Sequence, residues 1–227
     1  MKNEIICNNC SASNPIYSLN CSKCNSFLRA RVPNIDLWDT IWSLFISPID
    51  SAVKIIHAEK KNFLVLLLSL WFIKSSVNYY ILSNYHSSGV TSLGESLING
   101  GLLSVLLLLL LTFAISSLFS KFKIPNRFND VLSIITFSLV PILMVFVFLT
   151  PFHFALYGFY WYTVNPSPLI IKPLVTFVLY GIEGIFYLWV LILFIASNIA
   201  QTNRKALSVV VGLLLFLILF GYQFLIL

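Results

Sequence analysis

Four cysteines near the start of the chain have a spacing that suits a bound metal ion. They form two Cys-x2-Cys pairs, Cys7 with Cys10 and Cys21 with Cys24, separated by ten residues. Two short pairs of thiolates can build a tetrahedral structural zinc site, because each pair spans one edge of the tetrahedron. The pattern therefore predicts a small zinc ribbon over residues 1–28.

A metal is also expected on energetic grounds. Roughly 25 residues cannot bury enough apolar surface to offset about 1–2 kcal/mol of backbone entropy per ordered residue. Structural zinc can contribute about 10–16 kcal/mol. Four protein ligands leave no open position for water or substrate, so the predicted ion is structural. Iron in a rubredoxin-like site, two disulfides in an oxidising compartment and a redox-active pair are the alternatives.

The rest of the chain has the composition of a membrane protein. Of 227 residues, 59% are apolar and 10% charged, and the mean hydropathy is +0.91, which excludes a soluble globule. We predict an all-α integral membrane protein with a five-helix transmembrane bundle over residues 63–227. The five apolar stretches long enough to span a bilayer are 63–82, 98–118, 131–150, 173–199 and 206–226.

The basic residues predict the orientation of the chain. Most of the 14 lysines and arginines lie before the first span, between the second and third, or between the fourth and fifth. By the positive-inside rule the N-terminus is cytoplasmic and the C-terminus external. A reducing cytoplasm would also keep the thiols free for a metal. Topology thus explains the net charge of +6, and we expect no nucleic-acid partner. No signal peptide is evident.

Residues 29–62 are predicted to be a linker followed by two amphipathic helices. Apolar residues recur at helical spacing after Asp36, and Ser47-Pro48 has the pattern of a second helix start. Two tryptophans on one face favour the lipid headgroup layer, where basic residues contact anionic lipids. The predicted interfacial anchors are Trp38, Trp42, Lys60 and Lys61. The alternative is that these helices pack against the protein's own cytoplasmic loops.

Two charges fall within the predicted spans. Lys74 and Glu183 each lie about 15 Å along their helices from the membrane surface. An unpaired charge at that depth costs about 2.5–3.5 kcal/mol on insertion scales, so we predict that they form an ion pair between the first and fourth spans. Such a pair would either fix helix packing or belong to a transport site.

Small residues and a proline make further predictions about the spans. Pro141 should distort the third span, because proline cannot donate a helix hydrogen bond. Gly100 and Gly101, and likewise Gly181 and Gly184, should permit close approach between helices.

Several segments resemble the Ypt-interacting-protein (Yip) family of five-span membrane proteins, in a prokaryotic form with an N-terminal zinc ribbon. The segments are Trp38-Asp39-Thr40-Ile41-Trp42 to Ser47-Pro48, residues 119–128 running into 133–141, Trp189 onward into 203–207, and the ribbon from Cys7 to Asn25. Glycines often follow the cysteine pairs of such ribbons, but in this chain Ser11 and Asn25 occupy those positions.

The resemblance implies a non-enzymatic helical bundle in a prokaryotic plasma membrane. Eukaryotic members are associated with Rab-type GTPases, but their Asp-Leu-Tyr-Gly-Pro type motif is absent here, so that partner is not expected. The expected function is a membrane-organising or adaptor protein whose cytoplasmic zinc ribbon binds a protein partner. The alternatives are a small transporter or channel that uses Lys74 and Glu183, and a membrane-embedded enzyme. No catalytic motif favours the enzyme.

Overall fold

The structure, a computed structural model, describes residues 4–86 and 91–226. Residues 1–3 of the predicted ribbon, and residues 87–90 and 227 of the predicted bundle, lie outside these ranges. Strands β1 (Glu4–Ile6) and β2 (Ser13–Pro15) form an antiparallel hairpin with Ile5 opposite Asn14. The helices are α1 (Leu37–Ile46), α2 (Pro48–His57), α3 (Leu64–His86), α4 (Leu93–Glu95), α5 (Leu103–Lys121), α6 (Phe128–Ser138), α7 (Val140–Tyr157), α8 (Tyr160–Thr163), α9 (Pro168–Ile171), α10 (Pro173–Thr202) and α11 (Lys205–Leu225), with a π-helical segment, Ser96–Leu102, between α4 and α5.

Within the described ranges, five helical stretches have the length and composition needed to cross a membrane. They are Leu64–His86, Leu93–Lys121, Phe128–Tyr157, Pro173–Thr202 and Lys205–Leu225. The five predicted spans are thus confirmed as helices, and they indicate an integral membrane protein. The second and third begin several residues earlier than their apolar cores, because polar residues at the ends continue the helix.

The helix of the third span is interrupted at one residue, Leu139, two residues before Pro141. Helix α6 ends at Ser138 and α7 begins at Val140, with Pro141 at its second position. Proline is accommodated in the first turn of a helix, where its missing N–H has no partner in any case. The Ser138 hydroxyl donates to the Ile134 carbonyl at 2.6 Å and lies 2.8 Å from the Ser197 hydroxyl.

The chain forms two compact units. Unit 1 comprises Met1–Val65, Leu109–Ser138 and Leu193–Leu214, and unit 2 comprises Leu66–Leu108, Leu139–Ile192 and Leu215–Leu227. Both predicted helices before the first span are present in unit 1, and the Asp36 carboxylate caps α1 by accepting from the Asp39 amide at 2.8 Å. The largest fully buried side chains of unit 1 are Leu44, Ile55, Ile56, Phe119, Ile134, Ile135, Phe137, Leu193 and Phe194.

Helix α2 packs against the protein itself. Its Ile55 and Ile56 are completely buried, and the helix contacts α6. Helix α1 instead leaves Trp38, Trp42 and Ile46 exposed on one side. The two helices therefore differ: of the two, α1 carries a large apolar face that the described residues leave uncovered.

In unit 2 the predicted glycine contacts occur at one of the two glycine pairs. A Cβ added at Gly100 would lie 2.6 Å from the Ser75 carbonyl oxygen and 2.6 Å from the Tyr79 Cβ. By contrast, a Cβ at Gly181 or Gly184 would meet nothing within 4 Å. The π-helical segment thus packs directly on α3, whereas the glycines of α10 border open space.

Gly100→Ala should destabilise the protein, because the Ser75 carbonyl belongs to the helix backbone and cannot move aside. We expect a loss of about 1–3 kcal/mol, as for other overpacked positions. The matched control is Gly184→Ala, which should raise the free energy of unfolding by up to about 1 kcal/mol, because alanine favours a helix more than glycine does. Unfolding in mixed micelles, followed by circular dichroism, measures both; equal effects would contradict the close packing at Gly100.

Candidate functional site

The four cysteine sulfurs lie close enough together to hold one metal ion. All four Sγ atoms lie within 4.8 Å of one another, and the Cys7–Cys24 and Cys10–Cys21 pairs are each 3.5 Å apart. Sulfurs around one tetrahedral zinc lie about 3.8 Å apart, since each Zn–S bond is about 2.3 Å long. None of the four is in a disulfide. The donor set therefore fits a soft tetrahedral ion, zinc or iron.

Two similar turns place these thiols. The Cys7 carbonyl accepts a hydrogen bond from the Ser11 amide at 2.9 Å, and the Cys21 carbonyl accepts one from the Asn25 amide at 3.0 Å. Ser11 and Asn25 have φ of 55° and 58°, the left-handed conformation that glycine most readily adopts. Asparagine tolerates this conformation better than serine, so the first turn carries more backbone strain than the second.

Hydrogen bonds around the cluster favour the thiolate, the form that binds metals. The Ser26 hydroxyl lies 3.1 Å from both the Cys7 and Cys24 sulfurs and lowers the pKa of each thiol. The Cys24 and Lys23 amides lower the pKa of Cys21. Cys10 differs: the Ala12 amide favours its thiolate, but the neighbouring Cys24 thiol and burial raise its pKa to about 12. A fourth thiolate beside three others needs a cation to offset its charge.

Contacts within unit 1 fix the cysteine-bearing segment in place. The Arg29 guanidinium donates to the Tyr17 carbonyl at 3.1 Å and to the His57 carbonyl at 3.0 Å. The Tyr17 ring lies 4.5 Å from the Arg127 guanidinium carbon, a cation–π contact. The segment is therefore bound to the end of α2 and to the residues before α6.

His57 lies beside this contact with its ring half-buried. Burial, together with the positive charge of Arg29, lowers the pKa of His57 to about 4. The ring is therefore neutral near pH 7 and adds no repulsion to the guanidinium groups around it.

A buried carboxylate that the sequence reasoning missed lies at the centre of these contacts. Asp130, whose side chain is 1% exposed, accepts from Lys61 at 2.9 Å and from two nitrogens of Arg127 at 2.7 and 3.1 Å. Arg127 and Asp130 are three residues apart at the start of an apolar helix, and this spacing was the available signal. In the charge pattern, Arg127 is one of the basic residues between the second and third spans.

The predicted interfacial anchors have different surroundings. Trp38, Trp42 and Lys60 are exposed. The Lys61 side chain is only 10% exposed, and its ammonium is engaged by Asp130 and by the carbonyls of Ile55 and Ile56. Burial lowers the pKa of Lys61, and the carboxylate of Asp130 opposes that shift. Lys61 thus contacts the protein, where we had expected lipid headgroups.

Lys74 and Glu183 line one cavity in unit 2 without forming the ion pair that we predicted. The Lys74 ammonium donates to the Asn78 side-chain oxygen at 2.7 Å, one turn along the same helix. The Glu183 carboxylate instead lies 3.9 Å from His153 Nε2. The polar partner of Lys74 is therefore Asn78, and the polar group next to Glu183 is His153. Both charged side chains line the cavity.

No family model matches the chain, and no curated protein or solved structure matches it. The resemblance to the Yip family therefore stays a prediction from the residues.

Each purified molecule should contain about one zinc ion, and the double variant Cys7→Ser, Cys21→Ser should contain none, because two thiolates cannot complete the tetrahedron. Elemental analysis by mass spectrometry measures the metal and distinguishes zinc from iron. Ser18→Ala is the control and should retain the ion. Equal metal content in the double variant and the parent would contradict a four-cysteine centre.

Proposed function

We propose that this protein is a non-enzymatic membrane-organising or adaptor protein whose four-cysteine segment is a zinc ribbon that binds a protein partner. The observation that carries the proposal is a pair of exposed apolar side chains on the cysteine-bearing segment. Phe27 is 77% exposed and Ile6 is 67% exposed, although the segment is too small to leave large side chains uncovered without cost. Aromatic side chains such as that of Phe27 are enriched among the residues that anchor protein interfaces.

A metal bound to the four cysteines would hold Phe27 in position. Phe27 follows Ser26, whose hydroxyl contacts the Cys7 and Cys24 sulfurs. Phe27 also pairs with Asn20 in a single antiparallel bridge next to Cys21. Loss of the ion would therefore release the backbone that positions Phe27, so partner binding should depend on the metal.

The proposed setting is the cytoplasmic face of a membrane, in a prokaryotic cell, with the C-terminus outside. The uncovered side of α1 supports a lipid contact, because Trp38, Trp42 and Ile46 repeat at intervals of four residues. Tryptophan favours the headgroup layer. Exposed Lys60 lies at the same approach to the first span, where anionic lipids would attract it. We do not extend this proposal to Lys61 or to helix α2.

Transport of a small solute is the second candidate function. It is favoured by the charged cavity of unit 2, since polar groups inside a membrane protein commonly mark a substrate path. Solute flux into liposomes that contain the purified protein, and its loss in Glu183→Gln, would support transport over the adaptor role.

A photoreactive amino acid at position 27 should crosslink to one specific protein in intact membranes. The crosslink should disappear when Cys7 and Cys21 are replaced by serine, because the ribbon then loses its shape. The matched control is the same photoreactive group at position 38, which should crosslink to lipid in both backgrounds. Crosslinking from position 27 to lipid alone, or a protein crosslink that survives the cysteine replacements, would contradict the proposal.

A further inference from the structure

A cavity of about 390 Å³ in unit 2 contains an unusual set of polar groups for a membrane-spanning region. Its walls come from α3, α7, α8, α10 and α11. The volume lies in the range of small-molecule binding sites, about 300–1,000 Å³. Aromatic rings form much of the lining, and the charged groups are Lys74 and Glu183, with His153 beside them.

The cationic side of the cavity is a lysine without an anion. Lys74 is 4% exposed, and its ammonium carries three N–H donors. One donates to Asn78, and the rings of Phe146 and Tyr187 have their centroids 5.8 and 5.9 Å from the nitrogen. Among the described residues no carboxylate forms an ion pair with Lys74. Burying an ammonium is costly unless an anion compensates it, so the lysine has capacity for an anionic ligand.

The anionic side is the Glu183 carboxylate, which lines the cavity together with several aromatic rings. The Glu183 side chain is 22% exposed, and the 3.9 Å separation from His153 Nε2 is too long for a hydrogen bond. That histidine nitrogen is buried and has no hydrogen-bond partner in the described part of the chain, and its ring stacks on Trp161 at 3.8 Å. Tyr180, one turn before Glu183, lies 5.5 Å from Trp161. A carboxylate beside aromatic faces is the chemistry that binds an ammonium group.

We propose that this cavity binds a zwitterion, with its anionic group at Lys74 and its ammonium group at Glu183. The two protein charges share the cavity but do not pair with each other, so a ligand with a single charge would compensate only one of them. A zwitterion compensates both and leaves the site neutral. Binding requires neither the cysteine cluster nor a partner, so this site is independent of the adaptor function proposed above. For transport, the second candidate, the same site would specify a zwitterionic solute.

Two sources carry this chemistry: a free amino acid, and a phospholipid with an ethanolamine headgroup. Binding to the full-length protein in detergent can be measured by titration calorimetry with L-leucine and with dihexanoyl-phosphatidylethanolamine. The matched single-charge ligands are 3-methylbutylamine, 4-methylpentanoate and dihexanoyl-phosphatidylglycerol. We expect at least one zwitterion to bind about tenfold more tightly than its single-charge analogues. A preference for L-leucine would identify a free amino acid as the source, and a preference for dihexanoyl-phosphatidylethanolamine would identify a phospholipid.

Two variants separate this proposal from misfolding, because each should change the preferred ligand charge. Lys74→Met should raise the dissociation constant of the zwitterion by about 30-fold or more and make 3-methylbutylamine the preferred ligand. Glu183→Gln should raise the dissociation constant of the zwitterion to a similar extent and make 4-methylpentanoate or dihexanoyl-phosphatidylglycerol the preferred ligand. The controls Lys121→Met and Glu95→Gln lie outside the cavity lining and should leave binding unchanged.

Three results would overturn the proposal. The first is that neither zwitterion binds more tightly than its single-charge analogues. The second is a preference for zwitterions that remains unchanged in Lys74→Met and Glu183→Gln. The third is loss of all binding in both variants while the controls bind normally, because the proposal requires each variant to bind the ligand group that faces its remaining charge.

Discussion

A single buried carboxylate organises the polar part of unit 1. Asp130 joins Lys61, which precedes the first span, to Arg127, which precedes the third. Each partner then makes a further contact: Lys61 with the carbonyls at the end of α2, and Arg127 with the Tyr17 ring. Removing Asp130 leaves the Lys61 ammonium, which is only 10% exposed, without its counter-charge, and breaking a buried pair typically costs about 3–5 kcal/mol. Arg127 is 46% exposed and loses less, because water screens its charge. The placement of the cysteine-bearing segment therefore depends on a residue in a predicted transmembrane helix.

The linker before α1 has a defined structure that hydrogen bonds hold in place. Residues 29–35 run alongside residues 57–62: the Glu59 and Lys60 amides donate to the carbonyls of Val32 and Pro33, and the Asn62 side chain pairs with both backbone groups of Ile35. A bidentate Arg31–Glu59 pair adds to these contacts at the surface. The proposed ribbon is thus held in a fixed position by backbone hydrogen bonds, which suits a surface that presents Phe27 to a partner.

The sequence predicted most of the fold because long apolar helices and paired cysteines are local signals. The five spans, the interruption near Pro141 and the assembly of four thiols all follow from spacing along the chain. The spacings of Arg127 with Asp130 and of Lys74 with Asn78 are local signals as well. The Lys61–Asp130 pair and the cavity that Lys74 shares with Glu183 could not be found in this way, because they depend on which helices pack together. Charge counting treats Lys61 and Arg127 as interchangeable, whereas in the structure both surround one carboxylate. Likewise, Gly184 and Gly100 are both small residues of predicted spans, but a Cβ added at Gly184 would meet nothing within 4 Å.

The most direct test is amide hydrogen exchange at Glu59 and Lys60, whose hydrogen bonds hold the linker, in Asp130→Asn. The account predicts that exchange there accelerates by at least about 100-fold, since the lost charge cluster is worth about 3 kcal/mol or more. Asp39→Asn, which removes only an exposed pair with Lys54, should leave the rates unchanged. Equal exchange at Glu59 and Lys60 in Asp130→Asn and the parent would contradict the central role of Asp130.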